Sequence, residues 1–444
     1  MDADAIVIGA GAAGLAAARS LAGRSLRVIL VEARDREGGR VWSRPGGRAA
    51  VPAELGAEFI HGRAEETMAL LRDTGTAAID TAGESWTRSK DGRLQPANDT
   101  FPSSAKILEG AHSLADDESV DRYLKRFQGD ESKRETVEAA RAFVEGFEAA
   151  DPAIASARAI AAELLSGVDF ASARPLGGYR PMFERLRNAC ASAGVQSCLS
   201  TVVRRISWRT GAVAVDAKSS YGETRTIRAR AAIVTLPVGV LRHSGSGGEV
   251  VFDPDLPAAK RKALEYIEMG HVVKVTLRFR TAFWERIQAG RYREGAFFRS
   301  VGQPFPAYWT QVPVRSELIV AWAGGPKATA LSNASREEVI GRALSGLGLL
   351  FEEPALPLKE YEDAVMHDWS RDPFARGAYS YVAVGGGDAR AALAASVDNT
   401  LFFAGEATSG DGQGGTVNGA LETGERAARE AATALGAMAG NSRS

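Results

Sequence analysis

Cysteine and long apolar runs are both scarce in this sequence. Among 444 residues there are two cysteines, Cys190 and Cys198, which are too few for a disulfide framework. No apolar run approaches the roughly 18–20 residues that span a bilayer, so we expect no membrane segment. The first residues also lack the positive charge that opens a signal peptide. These features predict a protein of the reducing cytoplasm.

An excess of either charge is also missing. The chain carries 54 basic and 55 acidic side chains, for a net charge of -1, so nothing favours a phosphate backbone and we expect no nucleic-acid partner. The five histidines are scattered without metal-ligand spacing, and we expect no metal. A hydrophobic content of 45% is that of a globular chain. Because one core rarely exceeds roughly 250–300 residues, two domains are expected.

The chain opens with the pattern of a βαβ unit, which implies a parallel sheet. A strand is predicted over Ala5–Ile8, a helix from about Gly14 to Ala22, and a second strand over Leu26–Val31. Residues 100–172 have helical spacing of apolar residues and are predicted to be a helical insertion. Further strands are predicted at 211–217, 231–236, 272–279 and 318–322, an extended segment at 360–384, and a strand, glycine loop and long helix over 401–435.

Glycine is abundant, with 48 residues, and it falls in short clusters. The first cluster is Gly9-x-Gly11-x-x-Gly14, between the first strand and its helix. In a dinucleotide site Gly9 permits the tight turn, Gly11 lets the backbone approach a pyrophosphate, and Gly14 lets helix and strand pack closely. Glu32 ends the next strand, where an acid accepts hydrogen bonds from ribose hydroxyls. Taken alone, the glycine pattern is a weak signal with an ordinary turn as the alternative, but the strand before it, the helix after it and Glu32 favour a dinucleotide site.

Three further segments share this compact, glycine-bounded character. They are Gly38-Gly39-Arg40 after Arg34, the segment 54–62, and the segment 402–420 near the C-terminus. A permanently held FAD would use Arg40 as a second pyrophosphate contact, although a surface turn with a solvated arginine has the same sequence. The last segment opens a helix, whose N-terminus stabilises negative charge on a reduced flavin.

Together these segments resemble the flavin-containing amine oxidase family, which includes monoamine oxidases, polyamine oxidases and flavin histone demethylases. The resemblance rests on Val7 to Leu15, Val31 to Arg40, Leu55 to Gly62, and Phe403 to Leu421, with Val203 to Ile206 and Val234 to Pro237 between them. It implies an α/β fold in which a discontinuous Rossmann-like FAD-binding domain carries an inserted α+β substrate-binding domain, as in amine oxidases and glutathione reductase. We expect the FAD-binding domain at 1–75, 180–262 and 372–440, and the substrate-binding domain at 76–179 and 263–371.

The resemblance also implies which residues hold the cofactor. The expected FAD contacts are Gly9, Gly11, Ala13, Gly14, Glu32, Arg34, Gly39, Arg40, Gly56, Ala57, Glu58, Phe59, Val203, Gly405, Glu406, Gly415, Thr416 and Val417. Ala378 stands where monoamine oxidases carry the cysteine that bonds the flavin, so the expected FAD is non-covalent.

The expected catalytic residues are Lys274, Tyr379, Trp369, Thr416, His61 and Glu58. The family implies a lysine near flavin N5, and Lys274 matches it in spacing, whereas its alternating strand pattern alone favours a solvated lysine. Tyr379 matches one wall of an aromatic cage around the amine, with core packing as the alternative for Tyr379 and Trp369.

Other matches are less uniform. Thr416 and His61 are similar to the polyamine-oxidising branch. Glu58 departs from a position that is usually small or neutral, and this puts close transfer of the substrate in doubt.

The implied activity is hydride transfer from an amine α-carbon to flavin N5, with dioxygen reoxidising the flavin to give hydrogen peroxide. We find no second nucleotide fingerprint for a nicotinamide cofactor. The substrate is expected to be a mono- or polyamine. Two alternatives stay open: an L-amino-acid oxidase or biosynthetic amine or amide oxidase, which needs a buried cation such as Arg180 or Arg315, and a non-catalytic flavin-binding protein. The sequence leaves monomer and homodimer both open.

Overall fold

A computed structural model describes residues 1–89, 91–97, 101–167, 172–245 and 248–441. Its helices are Ala12–Ala22, Glu65–Asp73, Phe101–Glu109, Val120–Lys125, Arg134–Gly146, Ala157–Leu165, Arg180–Ser192, Val238–Leu241, Ala258–Tyr266, Gly325–Leu331, Arg336–Leu350, Leu356–Glu360, Ala389–Ala394 and Val417–Asn441. Short 3₁₀ turns occur at Gly110–Ser113, Glu131–Lys133, Phe283–Glu285, Ile287–Gly290 and Glu406–Thr408.

A five-stranded, fully parallel sheet organises the chain's two ends. Its strand order is Gln196–Cys198, Val28–Val31, Ala5–Ile8, Ala231–Val234 and Leu401–Phe403. Four of these strands are buried throughout, because both faces of a parallel sheet are covered. The predicted parallel sheet is therefore confirmed, and strands far apart in sequence end at one edge.

Helices cover one face of this sheet and a second sheet covers the other. On the first face lie the helices Ala12–Ala22, Arg180–Ser192 and Val417–Asn441. The alanine-rich first helix lets the last helix approach so closely that a Cβ on Gly424 would lie 2.3 Å from Ala13 O. The opposite face packs against the four-stranded sheet ordered Thr224–Ala229, Ala212–Ser219, Thr201–Arg209 and Val251–Asp253.

A seven-stranded mixed sheet forms a separate core with the helix Arg336–Leu350. Its strand order is Tyr361–Met366, Val272–Phe279, Leu318–Gly324, Ala307–Trp309, Gly295–Arg299, Glu84–Arg88 and Leu94–Pro96. Three small sheets link the parts: Ile60–His61 with Ser172–Pro175 and Ala78–Asp80, Ile267–Met269 with Ser380–Val382, and Ser43–Arg44 with Ala53–Glu54. The predicted domain division stays a prediction.

Several predicted elements need correction. The first helix begins at Ala12, two residues before the predicted start, because Gly11 already serves as its N-cap. The extended segment predicted at 360–384 is wrong over most of its length: it has strands at Tyr361–Met366 and Ser380–Val382, with turns between them. The helical insertion is confirmed within 101–167, whereas Ser172 opens a strand. Thr100 and residues 168–171 lie outside the described part.

Candidate active site

A cavity of about 1980 Å³ lies between the five-stranded parallel sheet and the seven-stranded mixed sheet. It is larger than the 300–1,000 Å³ of ordinary small-molecule sites. At one end it is lined by residues that follow the carboxyl ends of parallel strands: Gly11, Ala12, Arg34, Thr235, Pro237, Gly405 and Glu406. Lys274 and Trp309, from the seven-stranded sheet, also line it. Carboxyl ends of parallel strands are where α/β sheets bind nucleotides.

The first glycine cluster has the geometry that the sequence predicts. Gly9 has a φ of +101°, which favours glycine. A Cβ on Gly14 would lie 1.8 Å from Gly9 O, so this position admits no side chain. Neither glycine lines the cavity; both shape the turn that presents Gly11 and Ala13 to it. Gly11 caps the helix without a side-chain hydrogen bond, which leaves the helix N-terminus available to an anion.

Gly14→Ala is expected to abolish retention of a bound dinucleotide, because the clash with Gly9 O displaces the turn. Cofactor retained after gel filtration and the midpoint of thermal unfolding measure the effect. The matched control is Gly341→Ala, at a helical glycine where nothing lies within 4 Å of the added Cβ. We expect the control to be neutral or stabilised by up to about 1 kcal/mol. Equal retention in both variants would contradict the role of Gly14.

Glu32 lies buried at the end of its strand, next to the glycine turn. Its Oε2 accepts a hydrogen bond from Ala10 N at 2.7 Å, and its Oε1 accepts one from Arg34 N at 2.9 Å. Burial raises the pKa of Glu32. The Arg34 guanidinium lines the cavity and is bound to Asp372 at 2.7 Å. Glu32 and Val203 do not line the cavity, and their expected contacts to ribose and adenine stay predictions.

Arg40 and Glu406 join the two ends of the chain beside the cavity. Arg40 Nη1 lies 2.8 Å from Glu406 Oε1 and donates to Ala378 O at 2.7 Å. Glu406 Oε2 accepts hydrogen bonds from Ser380 Oγ at 2.6 Å and from Gly415 N at 3.1 Å. Burial alone raises the pKa of Glu406, but Arg40 and Arg390 hold it below its ordinary value. This carboxylate therefore stays ionised and fixes the C-terminal glycine loop.

Thr416 begins the last helix. Its Oγ1 accepts a hydrogen bond from Gly419 N at 3.0 Å and donates to Gln413 O at 2.8 Å. A hydroxyl bound to the N–H three residues on is the usual cap of a helix start. Gly415, Thr416 and Val417 line the cavity, so this helix N-terminus opens towards it.

Lys274 is buried, so its interpretation as a solvated lysine is wrong. Its ammonium lies 2.7 Å from Glu58 Oε2 and donates to Gly56 O at 3.1 Å. A Cβ on Gly56 would lie 1.8 Å from Arg40 O, so a residue without a side chain is needed here. The backbone of Gly56 packs against Arg40 and presents the Gly56 carbonyl to Lys274. Both Lys274 and Glu58 line the cavity.

Aromatic and imidazole side chains form other parts of the wall. Tyr379 donates from its hydroxyl to Phe147 O at 2.6 Å, and Trp369 donates from Nε1 to Leu55 O at 2.8 Å. The His61 ring meets Phe147 edge-on, with centroids 5.1 Å apart, and its Nδ1 lies 3.0 Å from Ser172 Oγ. Burial lowers the pKa of His61 to about 4, so this imidazole is neutral at pH 7. Tyr379, Trp369 and His61 all line the cavity.

Four charged residues at the site are absent from the sequence-based set. Arg174 contacts Glu58, and Arg390 contacts Ser380, Glu406 O and Glu163. Glu148 and Glu163 line the cavity. Burial, reinforced by Glu163, raises the pKa of Glu148. Only Glu148 had a sequence signal, as the acid that directly follows the apolar face of a predicted helix.

The residues present fit an FAD. Four segments that are distant in sequence, around Gly11, Gly39, Gly56 and Gly415, bring backbone without side chains to one elongated cavity. Two helix N-termini, at Ala12 and Val417, open on it. Glu32 lies at the end of the strand where a ribose partner is required. Among the described residues, no three histidine, cysteine or carboxylate groups are arranged as metal ligands. No helix there combines the length and apolar character that crossing a bilayer needs.

Comparison with known proteins agrees with this geometry. A sequence model of the family "flavin containing amine oxidoreductase" matches residues 12–432. The chain is 29% identical to lysine-specific histone demethylase 1 homolog 1 of Oryza sativa subsp. japonica, covering 95% of this chain and 51% of that protein. It is also 29% identical to polyamine oxidase 2 of Arabidopsis thaliana, covering 96% and 87%. The chain thus spans about half the length of the first relatives it matches.

Solved structures share the fold. A putrescine oxidase variant has a TM-score of 0.81 at 22% identity, covering 97% of this chain and 99% of that one. Cyclohexylamine oxidase from Brevibacterium oxydans has a TM-score of 0.78 at 23% identity, covering 98% and 99%. The predicted fold class, an amine-oxidase α/β fold, is confirmed.

Proposed function

The chain belongs to the family of flavin-containing amine oxidoreductases, and from that premise we propose that it is an FAD-dependent oxidase of a cationic mono- or polyamine. When bound, FAD supplies a two-electron acceptor for the hydride of the amine α-carbon and passes the electrons to dioxygen, giving an imine and hydrogen peroxide. Water then converts the imine to an aldehyde or ketone and releases the amine nitrogen.

Residues at four places would hold the cofactor. The turn of Gly11 and Ala13 would bind the pyrophosphate, and Arg40 would be a second phosphate contact. Glu32 would bind the ribose, and the N-terminus of the helix at Val417 would stabilise charge on the flavin ring. The two cysteines lie outside the cavity wall, and Ala378 lines it. No thiol is thus placed to bond a flavin, which supports a non-covalent FAD.

The chain's own groups would then prepare the amine. Tyr379 and Trp369 are fixed by hydrogen bonds to backbone carbonyls and present aromatic surface to the cavity. Aromatic faces tolerate a cation and orient a neutral amine. His61 is neutral at pH 7 and places no competing cation there.

The surroundings of Glu148 are the observation that favours an amine as the substrate. It lines the cavity, and among the described residues its carboxyl group has neither a hydrogen bond nor an ion pair. Glu163, which lines the same cavity, adds a like charge. A buried carboxyl group in this setting is stabilised by a bound cation. An ammonium substrate supplies that cation and favours the ionised form of Glu148.

The amino-acid oxidase alternative has no support from the two arginines considered for it. The side chains of Arg180 and Arg315 are 64% and 42% exposed, and neither lines the cavity. Four other arginines line it, Arg34, Arg40, Arg88 and Arg299, and of these Arg34 and Arg40 are bound to Asp372 and Glu406.

Peroxide release in air from a panel of mono-, di- and polyamines, beside L-amino acids, tests the activity directly. We expect amines to be turned over and the matching amino acids not. Turnover of amino acids alone would establish the alternative oxidase, and bound FAD without turnover of any compound would indicate a flavin-binding protein. The cytoplasmic location stays a prediction.

Glu148→Gln is expected to raise the KM of the preferred amine about 10- to 100-fold with a smaller effect on kcat, because a hydrogen bond to a charged group contributes about 1.5–3 kcal/mol. Initial rates of peroxide release measure both constants. The control, Glu131→Gln, alters an exposed acid in the same helical region and should leave KM unchanged. An unchanged KM in Glu148→Gln would remove Glu148 from substrate binding.

A further inference from the structure

Glu58 has a set of partners that ordinary packing does not require. Its Oε1 accepts hydrogen bonds from Trp309 Nε1 at 2.9 Å, Arg174 Nε at 3.0 Å and Gln311 Nε2 at 3.3 Å. Its Oε2 lies 2.7 Å from the Lys274 ammonium. The Glu58 side chain is 5% exposed, and a buried charge is costly unless it is paired and hydrogen-bonded. Both of its oxygens are accordingly engaged, one by a cation at the cavity wall.

The partner on the far side of Glu58 is rigidly held. Arg174 lies on the strand Ser172–Pro175 and donates to Thr310 O at 3.1 Å and to Val312 O at 3.4 Å. Its guanidinium also lies over the Phe59 ring, 4.4 Å from the centroid. Glu58 is therefore fixed by a strand on which Lys274 does not lie.

The Lys274 ammonium carries three N–H donors and has two protein oxygens as partners, one from Glu58 and one from Gly56. These contacts leave one donor for the cavity that Lys274 lines. Without Glu58, a four-carbon side chain would hold its ammonium through the Gly56 carbonyl alone. The lysine rotamer would then be free to move along the wall.

We propose that Glu58 is a positioning residue that holds the Lys274 ammonium in place at the wall of the cavity. The assignment rests on the proposed function, since it takes Lys274 to act on a bound FAD. Glu58 acts through Lys274 and has no direct part in the transfer of electrons.

The charges around the pair favour an ionised Glu58. Glu58 faces Lys274 from the segment after the strand Ala53–Glu54, and Arg174 faces Glu58 from its own strand. Glu54 lies in the same cluster, where burial raises its pKa to about 6. Although burial by itself raises the pKa of Glu58, Lys274 and Arg174 lower it to about 2. Glu58 is thus an anion at neutral pH.

Glu58→Gln keeps the shape of the side chain and removes this anion. Two buried cations, Lys274 and Arg174, then lose the carboxylate that faces both of them, and the Lys274 ammonium keeps only the Gly56 carbonyl as a partner. FAD-loaded protein is photoreduced without air, with oxalate as the electron donor, and the rate of its reoxidation by dioxygen is followed against pH. We expect the variant to reoxidise at least tenfold more slowly than the wild type, because its Lys274 ammonium is no longer held in one position.

A double-mutant comparison separates positioning from a general structural effect. In a Lys274→Met background, Glu58→Gln is expected to change the reoxidation rate less than twofold, because the residue through which it acts is gone. The matched control Glu184→Gln removes an exposed carboxylate paired with Arg180 and should keep the wild-type profile. A Glu58→Gln profile that matches the wild type, or rate losses from the two substitutions that multiply, would overturn the proposal.

Two further measurements keep the test decisive. The first is the free energy of unfolding of the apoprotein in denaturant. We expect Glu58→Gln to be less stable than the wild type by the largest margin near pH 7. The margin should narrow as pH falls from about 4.5 towards 2, because Glu58 is then protonated in the wild type and its stabilising charge is lost. A margin that is constant with pH contradicts the charge pairing. If the glutamine variant does not fold, Glu58→Asp takes its place, and its reoxidation rate should lie below that of the wild type without being lost. A rate profile of Glu58→Asp that equals the wild-type profile would overturn the proposal. Light reduction needs no amine, so failure of the amine-oxidase function would appear separately, as no amine-driven reduction.

Discussion

Lys274→Met is expected to slow the reoxidation of reduced FAD by dioxygen about 10²–10³-fold while FAD stays bound. The buried ammonium is a fixed positive charge at the cavity wall, and negative charge develops on dioxygen as it takes up electrons. A preorganised charge in a water-poor site contributes on this scale. Methionine has a similar length and no charge, so the packing against Trp309, whose ring centroid lies 5.9 Å from Lys274 Nζ, is largely kept.

The measurement is a rapid-mixing experiment in which reduced protein meets oxygenated buffer and recovery of the yellow band is recorded. The control is Lys262→Met, at an exposed lysine on the helix Ala258–Tyr266, and it should reoxidise at the wild-type rate. Retained FAD with an unchanged rate in Lys274→Met would show that the ammonium has no part in the reaction with dioxygen. Loss of FAD would show instead that Lys274 is needed for cofactor binding, against our expectation.

Glu406→Ala is expected to lower the free energy of unfolding by about 3–5 kcal/mol and to abolish FAD retention. Removing one partner of a buried ion pair leaves the other charge uncompensated. Here the uncompensated group is Arg40, and Ser380 Oγ and Gly415 N lose their acceptor as well. The C-terminal glycine loop is then no longer held against the cavity.

Chemical denaturation at pH 7 and flavin absorbance after gel filtration measure the two effects of Glu406→Ala. Glu430→Ala is the matched control, because Glu430 is a half-exposed acid paired with Arg426 at 3.0 Å within one helix, and such pairs contribute about 0.3–0.5 kcal/mol. Since Arg40 and Arg390 lower the pKa of Glu406, its contribution should be present at neutral pH and decline as the carboxyl group is protonated in acid. Equal losses of stability in the two variants would contradict the assigned role.

Elements with strong local patterns could be predicted from the sequence. The strands Ala5–Ile8 and Val272–Phe279 have the predicted bounds. The first is a short apolar run that ends at Gly9, and the second alternates between an apolar and a polar face. The glycine motif was equally readable, because the steric demand at Gly14 is a property of the turn itself.

The segment 360–384 shows where local pattern fails. Its aromatic residues favoured a strand, but two aspartates form turns with their own backbone. Asp368 Oδ1 accepts from Ser370 N at 3.0 Å, and Asp372 Oδ1 accepts from Phe374 N at 2.8 Å. Arg376 then takes a φ of +54°, which no strand accommodates. Turn chemistry of this kind overrides aromatic β-propensity.

The long-range pairs of the site could not be predicted for a different reason. Glu58 meets Arg174, 116 residues away, and Glu406 meets Arg40 across 366 residues. No periodicity connects such positions, and the partners come together through sheet topology alone. The alternation of the strand around Lys274 predicts a solvated lysine because one face of the strand is polar. It does not show that the Glu58 carboxylate lies against Lys274 on that face.

The most direct test of the whole account is the anaerobic mixing of FAD-loaded protein with the amine panel. We predict that at least one amine bleaches the visible flavin band in a single turnover and that admitted air restores it with one equivalent of hydrogen peroxide. A protein that holds FAD, is bleached by light reduction and yet remains yellow with every amine would contradict the central claim that this cavity oxidises amines.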